Sequence, residues 1–267
     1  MQATRGPESP AVQSPAVQVY VLGGFKVVVR GEVLPEHVWR RKTARQLFKI
    51  LLSRPNRRMT RDEVIELLWP ESDPEAASSN LRSTLFALRH ALEPSTAPAG
   101  VAVVFSDRAG VWLRPNVELW VDADAFEHTV EEAWRSADPL PLLEEASSFY
   151  AGHYLPEDLY EDWATERREA LKQRWAELQL RLSHELEHRG DPESAVRPLQ
   201  RLLQVDPCDE RAAQEAMQLL NRHGRRAEAL RIYQRLVEAL KEELDVEPSE
   251  ATTELQRQIS AGDTASA

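Results

Sequence analysis

The sequence predicts a mainly α protein with a small β part, in which a winged helix-turn-helix precedes an α-helical repeat domain. Three observations carry that prediction: two amphipathic helices joined by a short loop within residues 60–93, β-rich runs on either side of the helical segment, and a 34-residue repeat in the second half. At 267 residues and 42% hydrophobic content the chain can build two domains, each with a core of its own.

Residues 1–16 place Pro7, Pro10 and Pro15 among small and polar residues, the composition of a disordered tail, and lack the positive-then-apolar order of a signal peptide. Residues 17–35 (VQVYVLGGFKVVVRGEVLP) then alternate in short β-rich runs split by Gly23-Gly24 and by Arg30-Gly31, which predicts a small antiparallel sheet. A helix follows over residues 40–52 (RRKTARQLFKILL), with Leu47, Ile50 and Leu51 facing inward behind a basic N-terminus.

The next helix has a hydroxyl N-cap at Thr60 with Glu63 three residues on, the spacing of a capping box, and it stops at Trp69-Pro70. Val64, Leu67 and Leu68 form its apolar stripe. A third helix begins after Asp73-Pro74, and Leu81, Leu85, Leu88 and Leu92 recur on one face of it, so that face belongs to the core. Residues 101–115 then bracket Asp107, Arg108, Ala109 and Gly110, a hairpin with a turn of the kind that forms a wing. Sheet, three helices and hairpin, in that order, make a winged helix.

Opposite its leucines the third helix carries Ser79, Ser83, Phe86, Ala87 and His90, with Asn80, Arg82, Thr84 and Arg89 toward the flanks. None of these is an acid. A helix entering a DNA major groove needs such a face, because hydroxyls, amides and guanidinium forks match base edges and phosphates while carboxylates are mostly repelled. The alternative for one such helix is an ordinary solvated surface.

The charge is unevenly spread. Residues 17–126 hold 15 lysines and arginines against 13 aspartates and glutamates, whereas residues 127–267 hold 17 against 30, so the overall charge of −11 says little about DNA. The clusters Arg40, Arg41, Lys42, Arg45 and Arg57, Arg58, Arg61 offer a local phosphate-binding surface. The acidic second half suits a protein partner.

That second half predicts helices over residues 123–134, 140–150 and 162–189, and then a repeat. Gly190 and Gly224 lie 34 residues apart, and the same offset pairs Ala195 with Ala229, Arg201 with Arg235 and Leu202 with Leu236. This is the period of tetratricopeptide-type helix pairs, which usually present a concave binding surface; Pro207 ends a helix between them. The expected division is a tail over 1–16, a winged helix over 17–120, a helical domain over 121–261 and a flexible C-terminus over 262–267.

Three other motifs need weighing. His184, Glu185 and His188 match H-E-x-x-H, the spacing that puts two imidazoles on one helical turn beside a general base. Charged Glu187 and Arg189 intrude on a segment that zinc proteases keep apolar, and no downstream residue stands out as a third ligand, so a solvated helix end is expected. A single cysteine, Cys208, excludes an internal disulfide and shows no local signature of a nucleophile. Gly23-Gly24 is followed by no GxxxxGK[ST] loop. No catalytic residue, metal site or cofactor is expected.

The N-terminal sheet, the RRKTARQLFKILL helix, the LLWP ending and the NLRSTLFALRHALE helix resemble the OmpR-type winged helix of the SARP class of bacterial transcriptional activators. From about residue 121 the chain resembles the bacterial transcriptional activation domain (BTAD) of that class, most specifically in GRRAEALRIYQRL and EELDVEPS. Together the two cover nearly all of the chain beyond residue 16.

The resemblance implies an activator, not an enzyme, that binds promoter direct repeats and recruits RNA polymerase holoenzyme. With the α-helical face above, it makes Asn80, Arg82, Ser83, Thr84, Ala87, Arg89 and His90 the expected base contacts, and Arg40, Arg41, Lys42, Arg45, Arg57, Arg58, Thr60, Arg61 and the wing's Arg108 the expected backbone contacts. The loop over residues 70–74 matches the polymerase-contacting region of OmpR-type activators, which nominates Glu71 and Asp73. Cooperative side-by-side binding or a homodimer, no membrane association, no receiver or NTPase module and a cytoplasmic, nucleoid-associated location are the further expectations. The rival reading is a protein-interaction adaptor whose repeats do the work and whose winged helix reads no specific DNA.

Overall fold

A computed structural model describes residues 15–93, 102–114 and 119–262. The ends of the expected hairpin at Val101 and Pro115, and nearly all of the expected terminal tails, lie outside the described residues. The chain divides into two compact units, Met1–Asp124 with Ala151–Arg168, and Ala125–Tyr150 with Glu169–Ala267.

In the first unit, β1 (Val17–Tyr20), β2 (Lys26–Val29) and β3 (Glu32–Val33) form the expected antiparallel sheet. A fourth strand, β7 (Leu119–Val121), joins β1 in parallel, with Val17 opposite Leu119 and Val19 opposite Val121. Helix α1 (Lys42–Ser53) buries Leu47, Phe48, Ile50 and Leu51, and Phe48 stacks on Trp39. A short β4 (Arg58–Thr60) leads into α2 (Arg61–Leu68), whose capping box forms as Thr60 and Glu63 satisfy each other's backbone N–H groups. Of its apolar stripe only Val64 is buried; Leu67 is exposed.

Helix α3 (Pro74–Leu92) starts on Asp73, whose carboxylate accepts from the N–H groups of Glu75 and Ala76, and buries Leu81, Leu85, Leu88 and Leu92. The wing is β5 (Val104–Ser106) and β6 (Gly110–Leu113), with β4 on the far side of β6. Gly110 is required there, since a Cβ would come within 2.3 Å of the Met59 carbonyl oxygen.

Ala151–Arg168 packs within this unit. Tyr154, 1% exposed, shares a hydrogen bond with Ser53 at 2.9 Å, and burial raises its phenol to about 12. Lys49 meets Asp158 at 2.5 Å, Glu157 accepts from the Phe25 N–H, and buried Arg168 donates to the carbonyls of Tyr154, Asp158 and Leu159. The Asp122 carboxylate accepts from the N–H groups of Val21 and Leu22 at the end of β1.

The second unit takes in residues from α4 (Asp122–Arg135) and α6 (Asp162–His188), all of α5 (Leu140–Phe149), and the repeats α7 (Pro192–Val205), α8 (Glu210–Arg222), α9 (Arg226–Ala239) and α10 (Glu250–Ala261). Gly190 and Gly224 each end a helix at positive φ, 79° and 73°. Fully buried Ala195, Ala212, Ala213, Ala216 and Ala229 bring the repeat helices close together. A π-helical turn, Leu240–Leu244, interrupts the register before α10.

Candidate nucleic-acid interface

The outward face of α3 is built by its own periodicity once the four leucines are inside. Arg82, Phe86 and His90 are exposed, Asn80 and Ser83 half-buried. Phe86 is 69% exposed and stacks on His90, ring centroids 6.2 Å apart and 9° from parallel. Sequence periodicity could not show what lies beside this face. The N-terminus of α1 does: Arg40, Arg41, Arg82, Ser83, Phe86, Ala87 and His90 line one open depression of about 470 Å³. Helix α1 has no acid in its first turn and Arg41 as its N-cap residue, so its N–H groups and the arginine pair offer one positive rim.

Of the seven expected base contacts, Thr84 and Ala87 are buried and Arg89 is half-buried. Thr84 is fully buried, its hydroxyl 3.2 Å from that of Thr43 on α1. Arg89 is turned to the wing, donating to the Val104 carbonyl at 3.1 Å and to Ser106 Oγ at 2.8 Å. Ala87, 8% exposed, is floor rather than reader. Thr84 and Arg89 were placed at the flanks of the polar face, where the partners that engage them come from other parts of the chain, and Ala87 was placed opposite the leucines.

The backbone set sorts in the same way. Arg40, Arg41, Lys42, Arg58 and Arg108 are exposed. Arg45 pairs with Glu36 at 3.0 Å and lies over the Phe25 ring. Arg57 pairs with Asp124, and its burial, with Arg167 nearby, lowers its pKa from the ordinary arginine value. Thr60 caps α2, and Arg61 donates to the Asp107 carbonyl at 2.8 Å. These four are structural positions first.

The wing turn is set by Asp107, whose carboxylate accepts from the N–H groups of Gly110 and Ala109 and is held below the usual carboxylate range by them. On its sheet Phe105 and Trp112, opposite each other across β5 and β6, stack 6.0 Å apart. Arg58 lies over Trp112 at 5.0 Å and Arg114 over Phe105 at 5.4 Å. Sequence reasoning missed this guanidinium-on-aromatic surface, although the hairpin turn fixes the register that pairs the rings. In the loop between α2 and α3, Glu71 is exposed whereas Asp73 is occupied as the α3 cap.

The other motifs have local partners. His184 Nε2 lies 3.2 Å from Glu215, and Glu187 accepts from Arg222 at 2.8 Å and lies 3.1 Å from His223 Nε2. Among the described residues no three His, Cys, Asp or Glu side chains gather to hold a metal ion. Burial and the neighbouring Glu243 carboxylate push the Cys208 thiol up, the opposite of what activates a nucleophile. No described helix is long and apolar enough to cross a membrane.

A family model described as bacterial transcriptional activator domain matches residues 121–260. Regulatory protein AfsR of Streptomyces coelicolor (strain ATCC BAA-471 / A3(2) / M145) is 32% identical over 270 residues, which cover 98% of this chain and 26% of that protein. Regulatory protein AfsR of Streptomyces griseus is 28% identical over 263 residues, covering 97% and 26%. The chain thus spans about a quarter of the length of these curated relatives. Among solved structures, Mycobacterium tuberculosis EmbR in complex with a low-affinity phosphopeptide aligns with a TM-score of 0.71 at 20% identity, over 93% of this chain and 66% of that one. At that identity the likeness is one of fold.

Proposed function

The chain belongs to the bacterial transcriptional activator domain family, a SARP-like transcriptional regulator, and from that premise we propose that it binds promoter repeats through α3 and recruits RNA polymerase. The observation that carries the proposal is the outward face of α3: Arg82, Ser83, Phe86 and His90 share one open surface with Arg40 and Arg41, and no carboxylate lines it.

In this reading α3 lies in the major groove. Asn80, Arg82, Ser83 and His90 read base edges, since amide, guanidinium, hydroxyl and imidazole groups supply the donors and acceptors that base pairs display there. Phe86 packs on a thymine methyl, the apolar feature of that groove, and the His90 ring holds it upright. Arg40, Arg41, Lys42 and Arg58 hold phosphates, and Arg108 at the wing tip reaches the neighbouring minor groove or its phosphates. Protomers side by side on direct repeats load cooperatively. Polymerase contact falls to Glu71, the exposed acid of the loop before α3, or to the acidic second unit.

The test is retention of fragmented DNA from the protein's own source at ~150 mM salt, where non-specific binding is weak, followed by sequencing. Enrichment of a short repeated motif upstream of genes, weakened in Arg82→Ala and relaxed there at one base pair, is the expected result. No enrichment over input sinks the proposal and favours the adaptor reading, in which the helical repeats are the working surface. Replacing each thymine of the enriched motif by deoxyuridine isolates the Phe86 contact: one position weakens wild-type binding and leaves Phe86→Ala unaffected.

A further inference from the structure

We propose that the second unit contains a binding site for a small oxyanion, a carboxylate or phosphate monoester, in the open cleft that α5, α6 and α7 line. The cleft has a volume of about 390 Å³, within the range of small-molecule sites. Its charged lining on α7 is Arg197 and Arg201, one turn apart on the same face, with Ser194 a further turn toward the N-terminus.

Neither guanidinium has an ion-pair partner among the described residues, although acids outnumber bases in this half of the chain. Arg197 donates to Ser194 Oγ at 2.5 Å and Arg201 to Ser147 Oγ at 3.3 Å, both neutral hydroxyls. Two arginines sharing a concavity repel each other; the Asp191 charge offsets part of this at Arg197, whereas Arg201 meets only the neutral Ser147 hydroxyl. A bound oxyanion supplies the missing charge, and guanidinium forks match its geometry.

The floor of the cleft supports this. Ser147 is 8% exposed, and its hydroxyl accepts from Gln179 Nε2 at 2.9 Å as well as from Arg201. With both acceptor positions used, its own proton is left to donate, so the buried hydroxyl and the two guanidiniums present donors together. Leu182, Leu186 and Pro198 give the cleft apolar walls. Two acids also line it: Asp191 is turned to the Ser194 N–H as the α7 cap, while Glu144 stands at the mouth and favours a ligand whose oxyanion is accompanied by a hydroxyl or ammonium donor. The inference concerns the second unit alone and stands apart from the DNA reading.

Thermal unfolding of the full chain tests it. Inorganic phosphate and succinate are each titrated against sodium chloride at matched ionic strength, because ligand binding raises the midpoint with the logarithm of concentration once the anion exceeds its Kd, whereas the general salting effect of phosphate grows in proportion to concentration. The expected result is a specific rise with one of the two anions, and whichever acts at the lower concentration identifies the head group. Arg197→Gln/Arg201→Gln should weaken that anion about tenfold or more, each lost charge-assisted hydrogen bond contributing to the factor, while Arg211→Gln, an exposed arginine elsewhere on the unit, should leave it unchanged. No rise beyond chloride with either anion, or the same rise in the Arg197→Gln/Arg201→Gln protein, overturns the proposal.

Discussion

The two compact units treat their arginines differently. In the second unit Arg174 lies 3.5 Å from Glu131, Arg222 2.8 Å from Glu187 and Arg225 2.7 Å from Glu228, so these guanidiniums link one helix position to another, while Arg197 and Arg201 hydrogen-bond only to hydroxyls. On the outward surface of the first unit Arg40, Arg41, Arg82 and Arg108 have no ion-pair partner among the described residues. The contrast also runs along a single helix, where Arg82 points outward and Arg89 is bonded to the wing. Total charge is therefore a poor guide to nucleic-acid binding. What matters is which guanidiniums the fold leaves without a carboxylate, and on which face.

The largest effect that would sharpen this contrast concerns what holds the first unit together. Tyr154→Ala removes a fully buried aromatic side chain and should cost ~3–5 kcal/mol, with DNA binding lost through unfolding rather than through contact. Hydrogen exchange in α1 and β1 checks it. If those amides stay as protected as in the wild type, Ala151–Arg168 is not part of the unit that presents α3.

Next in size is the pair on α3. Arg82→Ala should cost ~1–3 kcal/mol of specific DNA affinity, relaxing preference at one base pair and leaving the unfolding midpoint in place. Arg89→Ala should instead lower stability by ~1–3 kcal/mol, because the Val104 carbonyl and Ser106 hydroxyl lose their donor. Competition binding and urea unfolding of both proteins decide between the two roles. The reverse pattern would mean that the helix is rotated on the DNA relative to the face described above. A smaller change is expected for Arg40→Ala and Arg41→Ala, each of which should weaken all sequences alike and reduce the slope of log affinity against log salt by about 1.

The division between readers and structural residues marks where sequence reasoning ran out. The core of α3 was legible because four leucines at helical spacing fix one face, and the opposite face followed. Thr84 and Arg89 sit at the seam between those faces, where their surroundings depend on Thr43, forty-one residues earlier, and on a wing strand fifteen residues later. Local periodicity carries no information about either. The helices of the second half were legible for the same reason as α3, and the parallel strand β7 was not, since three residues pairing with β1 leave no pattern of their own. The folding of Ala151–Arg168 into the first unit left a readable trace in hindsight: Tyr154-Leu155-Pro156 is an apolar run between two predicted helices, and such a run needs a core to enter.

The smallest expected effect tests how the wing is held. Asp107 has its carboxyl depressed by the N–H groups of Gly110 and Ala109. A depressed folded-state value means stability that is fully present above the ordinary aspartate range and is lost as pH falls through the lowered value. Acidification should therefore loosen the turn, raising amide exchange at Gly110 relative to the intrinsic rate, and Asp107→Asn should abolish that acid dependence while leaving the one at Glu63 on α2, whose carboxyl is depressed separately by the Thr60 backbone N–H and hydroxyl. Salt separates this turn from the second unit. Hydrogen bonds from neutral N–H groups to Asp107 should change little with ionic strength, whereas the exposed link between Glu187 and Arg222 should weaken as salt screens it. Equal salt sensitivity at the two places would mean that the wing too depends on charge pairs, and Arg108 could not then be regarded as available to DNA.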